Sequence, residues 1–250
     1  VPRRPVQPSR GIVSLDLEGK TAVVPVLVQK EATVSAKKVP FVIEQEVLAT
    51  PLKMRLLVKR GIESDLEELM ELYPEIDPSD IRTFTPVELI PGQDAINTAG
   101  TIDDALYLAL HVENTLAKPE NMQRIRQELA GRILNIGLVP QRDLDASLFT
   151  RPAPRQLDWS IAWCRRDEGS AQLRCDYLPM QVLEDGSDGG RQTGVIRLRI
   201  PDAEALLAPE SPTDPSDAGM GNLPPALPVD MKSESLVCWI RLTAPKDDID

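Results

Sequence analysis

The strongest constraint on this chain is the stretch from Thr101 to Gly137, where apolar residues recur at steps of three and four between strand-like flanks. Ile102, Ala105, Leu106, Ala109, Val112 and Leu116 fall on one face of a helix. Thr101 stands at the N-cap position, with Asp104 three residues on and Asp103 beside it in the first turn, where the helix dipole favours acids. Lys118-Pro119 closes this helix and opens a second, because proline is tolerated in a first turn. Met122, Ile125, Leu129, Ile133 and Ile136 continue the second stripe, and Gly137 suits its C-terminal cap. The spacing therefore predicts an antiparallel helix pair. Neither helix can bury its stripe alone, so both must cover a sheet.

Around this pair the pattern changes to period two. Val13, Leu15 and Leu17 alternate before a Glu18-Gly19-Lys20 turn, and Ala22–Val28 returns as a second strand, which Pro25 confines to an edge or bulge. Phe41–Leu48 and Met54–Lys59 read as two more strands, the latter with its basic side chains on an exposed face. Ser64 and Glu67 form a capping box for a short helix ending at Pro74, and Ile81–Ile90 reads as a strand closed by Pro91-Gly92. The clearest hairpin sets Trp159, Ile161 and Trp163 against Leu173, Cys175 and Tyr177. With aromatic residues at only 4%, these rings are expected in the core rather than stacked on a ligand. Met180–Leu183 and Ile196–Ile200 add strands around a flexible acidic, glycine-rich loop, and Leu236–Leu242 is a strongly apolar final strand.

The fold expected is α+β and β-rich: an antiparallel sandwich or jelly-roll-like core with a helical segment inserted at about residues 62–137. A single-sheet α+β fold is the alternative. The organisation expected is a basic flexible arm over 1–10 and one interwoven domain over 11–250. That domain holds strands in 11–60 and 157–200, the helical insert, a proline-rich strap over 201–230 and the final strand at 236–242. The strap, with Pro201, Pro209, Pro212, Pro215, Pro224, Pro225 and Pro228, reads as a tether or as a band laid across a neighbour.

Catalytic signatures are missing. The one histidine, His111, points away from the helical stripe and is expected to be exposed, which argues against a Ser-His-Asp or Cys-His arrangement. The sequence holds no Cys-x-x-Cys and no phosphate-cradling glycine loop, so no metal or cofactor is expected. Gly219-Met-Gly221 reads as loop flexibility. Cys164, Cys175 and Cys238 read as buried, reduced thiols, with a Cys164–Cys175 bridge as the alternative. No apolar run approaches the roughly 20 residues a membrane helix needs, and the setting expected is the cytoplasm or a virion.

Charge carries more information than motif. The total is −11, yet residues 1–60 hold 11 Lys and Arg against 5 Asp and Glu, and residues 61–120 hold 2 against 14. Unlike surfaces on one chain can hold copies together. The candidate basic surface is Arg3, Arg4, Arg10, Lys37, Lys38, Lys53, Arg55, Lys59 and Arg60, and the candidate acidic surface is Asp65, Glu67, Glu68 and Glu71. These features predict a non-enzymatic structural protein that self-associates or joins a larger assembly, such as a virion coat or capsid-associated protein. Nucleic-acid binding through the basic region is the first alternative, opposed by the net charge, and a carboxylate-based hydrolase is the second.

Overall fold

The computed structural model describes residues 12, 15, 25–36, 38–62, 84–94, 98, 100–139, 157–166, 173–202, 206, 212 and 217–244. In chain order the elements are β1 (Val26–Val28), β2 (Thr33–Ala36), β3 (Val39–Val42), β4 (Val47–Ala49), β5 (Lys53–Gly61), β6 (Phe84–Leu89) and β7 (Ala105–His111). Then follow α1 (Pro119–Leu129), β8 (Ile133–Leu138), β9 (Asp158–Arg166), β10 (Leu173–Pro179), β11 (Gln181–Asp185), β12 (Gly194–Arg199) and β13 (Leu236–Thr243). The fold is α+β and β-rich. Its centre is a six-stranded antiparallel sheet in the order β10-β9-β13-β7-β5-β6. The C-terminal strand β13 lies inside it, paired with β7 on one side and β9 on the other.

The helix expected from Thr101 is instead the strand β7, and the reason is visible in its composition. The helical stripe used Ala105, Leu106 and Ala109, but Tyr107, Leu108 and Leu110 between them are buried as well. All seven residues of β7 are buried, as in a central strand covered on both faces. Thr101 caps no helix: its hydroxyl donates to the Thr98 carbonyl. His111 is buried near the end of β7, not exposed. The second helix does form, with Pro119 in its first turn and Met122, Ile125 and Leu129 facing inward. It stops at Leu129, so Ile133, Ile136 and Gly137 belong to the strand β8 instead. The helical insert of about 62–137 therefore reduces, among the described residues, to α1, with β6, β7 and β8 around it.

Strand alternation divides the core into two clusters. One face of the central sheet, with Leu56, Val58, Leu108, Ile161 and Ile240, packs on α1 and on a three-stranded sheet of order β11-β12-β8. A bulge in β13 between Leu236 and Cys238 exposes two carbonyls, and Arg126 of α1 donates to both, at 2.8 Å to Leu236 and 3.3 Å to Val237. The opposite face carries Leu57, Tyr107, Ala109, Ala162 and Trp239. Among the described residues no second sheet covers it; Leu223 and Leu227 of the proline-rich strap, with Met231 just after it, do so instead. The strap's proline-rich backbone supplies few donors for a ladder. Its described residues Leu223 and Leu227 lie on the chain's own sheet.

The hairpin β9–β10 matches expectation, and it places Cys164 directly opposite Cys175. The two are joined in a disulfide, which corrects the reading of both as free thiols; Cys238 is the buried free one. The strand expected over 13–17, residue 15 apart, lies outside the described residues, and β1 pairs with β4. β2 and β3 pair beyond it, so residues 26–49 form one long irregular hairpin. The arm of residues 1–10, the 18–20 turn and the short helix expected after Ser64 lie outside the described residues.

Candidate functional site

Two places in the fold hold groups that an ordinary core does not. The first lies beneath the strap. Lys59 follows the apolar run Leu56-Leu57-Val58 on β5, and its side chain is 0% exposed. A lysine at such a position needs a partner. Its Nζ lies 2.9 Å from Asp103 Oδ2 and donates to the Gly221 carbonyl at 3.1 Å. The ammonium also sits 5.1 Å from the centre of the Tyr107 ring. Tyr107 donates to the same carboxylate oxygen at 2.6 Å. Tyr177 donates to the Asn222 carbonyl at 2.8 Å, and the Arg241 guanidinium stacks 3.5 Å above its ring. Trp239 closes the group, edge-on to Tyr107.

Burial governs the protonation of these groups. It pushes the Lys59 ammonium below its usual range, while the bond to Asp103 pulls it partly back. The same burial holds the Tyr107 phenol protonated far above its usual range and pushes Tyr177 up to about 12. A lysine of lowered pKa is what amine chemistry uses. Here, however, the amine is sealed by the strap. A groove of about 410 Å³ shares Gly221 with the cluster and is bordered also by Arg174, Asp176, Asp217 and Asn222, but not by Lys59 or Tyr107. The cluster is thus a polar clamp that fixes residues 221–222 to the sheet. Asp103 Oδ1 and Arg241 Nε are buried without hydrogen-bond partners. A partly satisfied network of this kind specifies a position more than it adds stability.

The second place is the hairpin of residues 26–49. Among the residues of 25–48 whose exposure is described none is buried, and Ala49 at the hairpin's base is. Val26 is 49% exposed, Leu27 45%, Val39 55% and Val42 60%. Thr33 pairs with Val42 and Val34 with Phe41, so Val34, Val39 and Phe41 share one face. At the tip Lys38 adopts a left-handed φ of 87°.

The described members of the basic set, Lys38, Lys53, Arg55, Lys59 and Arg60, do not gather into a single surface. Lys38 and Arg60 are exposed. Lys53 pairs with Glu113 at 2.6 Å, and Arg55 bridges Glu88, at 2.7 Å, and Asp230. Lys59 lies inside the protein, which corrects its placement on an exposed face. Arg3, Arg4, Arg10 and Lys37, and the acidic Asp65, Glu67, Glu68 and Glu71, lie outside the described residues. Sequence reasoning missed the group around Asp103, Tyr107, Tyr177 and Arg241. The available signal was a lone lysine at the end of an apolar run. Among the described residues no three His, Cys, Asp or Glu side chains gather to hold a metal, and no helix is long and apolar enough to cross a membrane.

In comparisons with protein-family models, curated proteins and solved structures, nothing matched the chain.

Proposed function

We propose that this chain is a non-enzymatic structural subunit that assembles with copies of itself. One observation carries the reading: the hairpin of residues 26–49 leaves Val26, Leu27, Val39 and Val42 exposed, while both faces of the central sheet are covered by the chain itself. A two-stranded ribbon is marginal alone in water, and apolar residues displayed on one favour a partner surface. A shell-forming subunit, as in a virion coat, has such a need. The Cys164–Cys175 bridge suits an oxidising setting such as a virion surface. Nucleic-acid binding has less support, because Lys53 and Arg55 are interleaved with acids.

Light scattering on the intact chain, over a hundredfold range of concentration and at low and high salt, tests the reading. A mass rising above the 27.6 kDa of one chain is expected. A single-chain mass under every condition overturns it.

A further inference from the structure

We infer that the Cys164–Cys175 bridge is a redox latch for the strap: the strap shields the bridge from reductants, and the closed bridge holds the strap on the sheet. The register of β9 and β10 sets up this coupling. The Met180 amide donates to the Trp159 carbonyl at 2.8 Å, which puts that pair in the hydrogen-bonded phase of the ladder. Alternation from there leaves Ala162–Tyr177 and Cys164–Cys175 as pairs without backbone hydrogen bonds between them. The disulfide is the tie between the strands at its own position. β10 stands at the edge of the central sheet, with β9 as its one neighbour there among the described residues. The seven paired positions of the ladder hold the hairpin with or without the bridge, so the bridge is free to act as a control.

The strap lies over this tie. Cys164 and Cys175 are both buried, in the apolar cluster that Leu223 and Leu227 cover. Two hollows along the strap reach the bridge. Cys175 borders the groove of about 410 Å³, together with Met220 and Leu223. Cys164 borders a second hollow of about 380 Å³, together with Leu223, Pro224 and Leu227. Two residues beyond Cys175 on β10, Tyr177 donates to the Asn222 carbonyl and fastens the strap to the same strand. Bonded sulfurs sit about 2.0 Å apart, whereas unbonded heavy atoms settle about 3.5–4 Å apart. Opening the bridge therefore parts β10 from β9 or displaces the strap residues packed on the pair. The opening step is exchange with a dithiol. A thiolate of the dithiol attacks Sγ of Cys175, forming a mixed disulfide, and Cys164 leaves as a thiolate that takes up a proton. The second thiolate of the dithiol then attacks its own bound sulfur and frees Cys175, which is protonated in turn. The chain gains two electrons and two protons, and the dithiol leaves as a disulfide.

The test uses the intact chain and dithiothreitol at pH 8. Reduction is followed by alkylation and peptide mapping of Cys164 and Cys175, which keeps the buried thiol of Cys238 out of the count. Tyr177→Phe removes only the hydroxyl on the Asn222 carbonyl, and Gly219→Ala strains the strap at its φ of 87°. Each is expected to speed reduction of the folded protein about tenfold. In the reverse direction, reduction of the wild type is expected to speed hydrogen exchange at residues 219–223 about tenfold. Exchange in α1 and β8, which pack on the other face, stays unchanged. Equal reduction rates in wild type and both variants overturn the latch, as does a strap that exchanges equally with the bridge open and closed. A bridge that opens only when α1 and β8 exchange with it overturns the latch too, because it is then a staple of the whole fold.

Discussion

Replacing Asp103 by Asn is the sharpest perturbation of the clamp beneath the strap. The amide is nearly isosteric, so little packing changes, but the carboxylate paired with the buried Lys59 ammonium is lost. At 2.9 Å, and with an effective dielectric of about 20, the attraction removed is about 6 kcal/mol. The loss of stability cannot reach that figure, because Lys59 can fold uncharged. Deprotonating a lysine of ordinary pKa 10.5 at pH 7 costs about 1.36 kcal/mol per unit over 3.5 units, a ceiling of about 4.8 kcal/mol. Breaking a buried pair usually costs about 3–5 kcal/mol, so Asp103→Asn is expected to lose about 3–5 kcal/mol at pH 7. The ceiling itself depends on pH. Folding lowers the lysine's pKa, so the unfolded chain holds the extra proton and stability rises with pH up to 10.5. At pH 9 the ceiling falls to about 2 kcal/mol. Urea unfolding of wild type and variant, followed by tryptophan fluorescence, gives the difference at each pH, and contributions common to both proteins cancel. A loss under about 1 kcal/mol at pH 7, or one that does not shrink at pH 9, refutes the account of the clamp.

Three further outcomes follow from the same structure. Gly219 has a φ of 87°, and an added Cβ would lie 2.6 Å from the Phe84 ring, so Gly219→Ala is expected to cost about 2–4 kcal/mol and to loosen the strap, read by urea unfolding and by protease nicking near residue 219. Arg126→Met keeps the aliphatic stem but abandons the Leu236 and Val237 carbonyls at the β13 bulge, with an expected loss of about 2–3 kcal/mol in the same urea assay. Burial lowers the pKa of His111 from 6.5, so the unfolded chain binds the extra proton in acid and stability falls as pH drops below 6.5; His111→Gln should flatten that part of the pH–stability curve, measured by thermal melts from pH 7 to pH 5.

The legible parts of the chain were those where period two was unbroken. β9, β10 and β13 could be read because their apolar residues alternate or run without interruption between turn residues. The illegible part was Thr101–His111. A seven-residue run buried on both faces contains the helical steps as a subset, so periodicity alone could not separate the two. The same ambiguity ran past Leu129, where the helical stripe continued into β8. Ala130 and Gly131, which end the helix, gave a weaker signal than Gly137 did. The clamp was hidden for a different reason. Lys59, Asp103, Tyr177, Gly221 and Arg241 come from five separated segments, and only the sheet order brings them together. The hairpin tip could be read as basic, but its exposure depends on what the rest of the chain leaves uncovered.

The central claim is that the chain closes its own sheet and leaves the hairpin of residues 26–49 for a second copy. Hydrogen exchange on the intact protein, resolved by segment and repeated at low and high concentration, tests it most directly. Amides of β7 and β13 should be protected equally at every concentration, and those of β3 should gain protection as concentration rises. Protection of β3 that is the same at every dilution, whether high or absent, contradicts the claim.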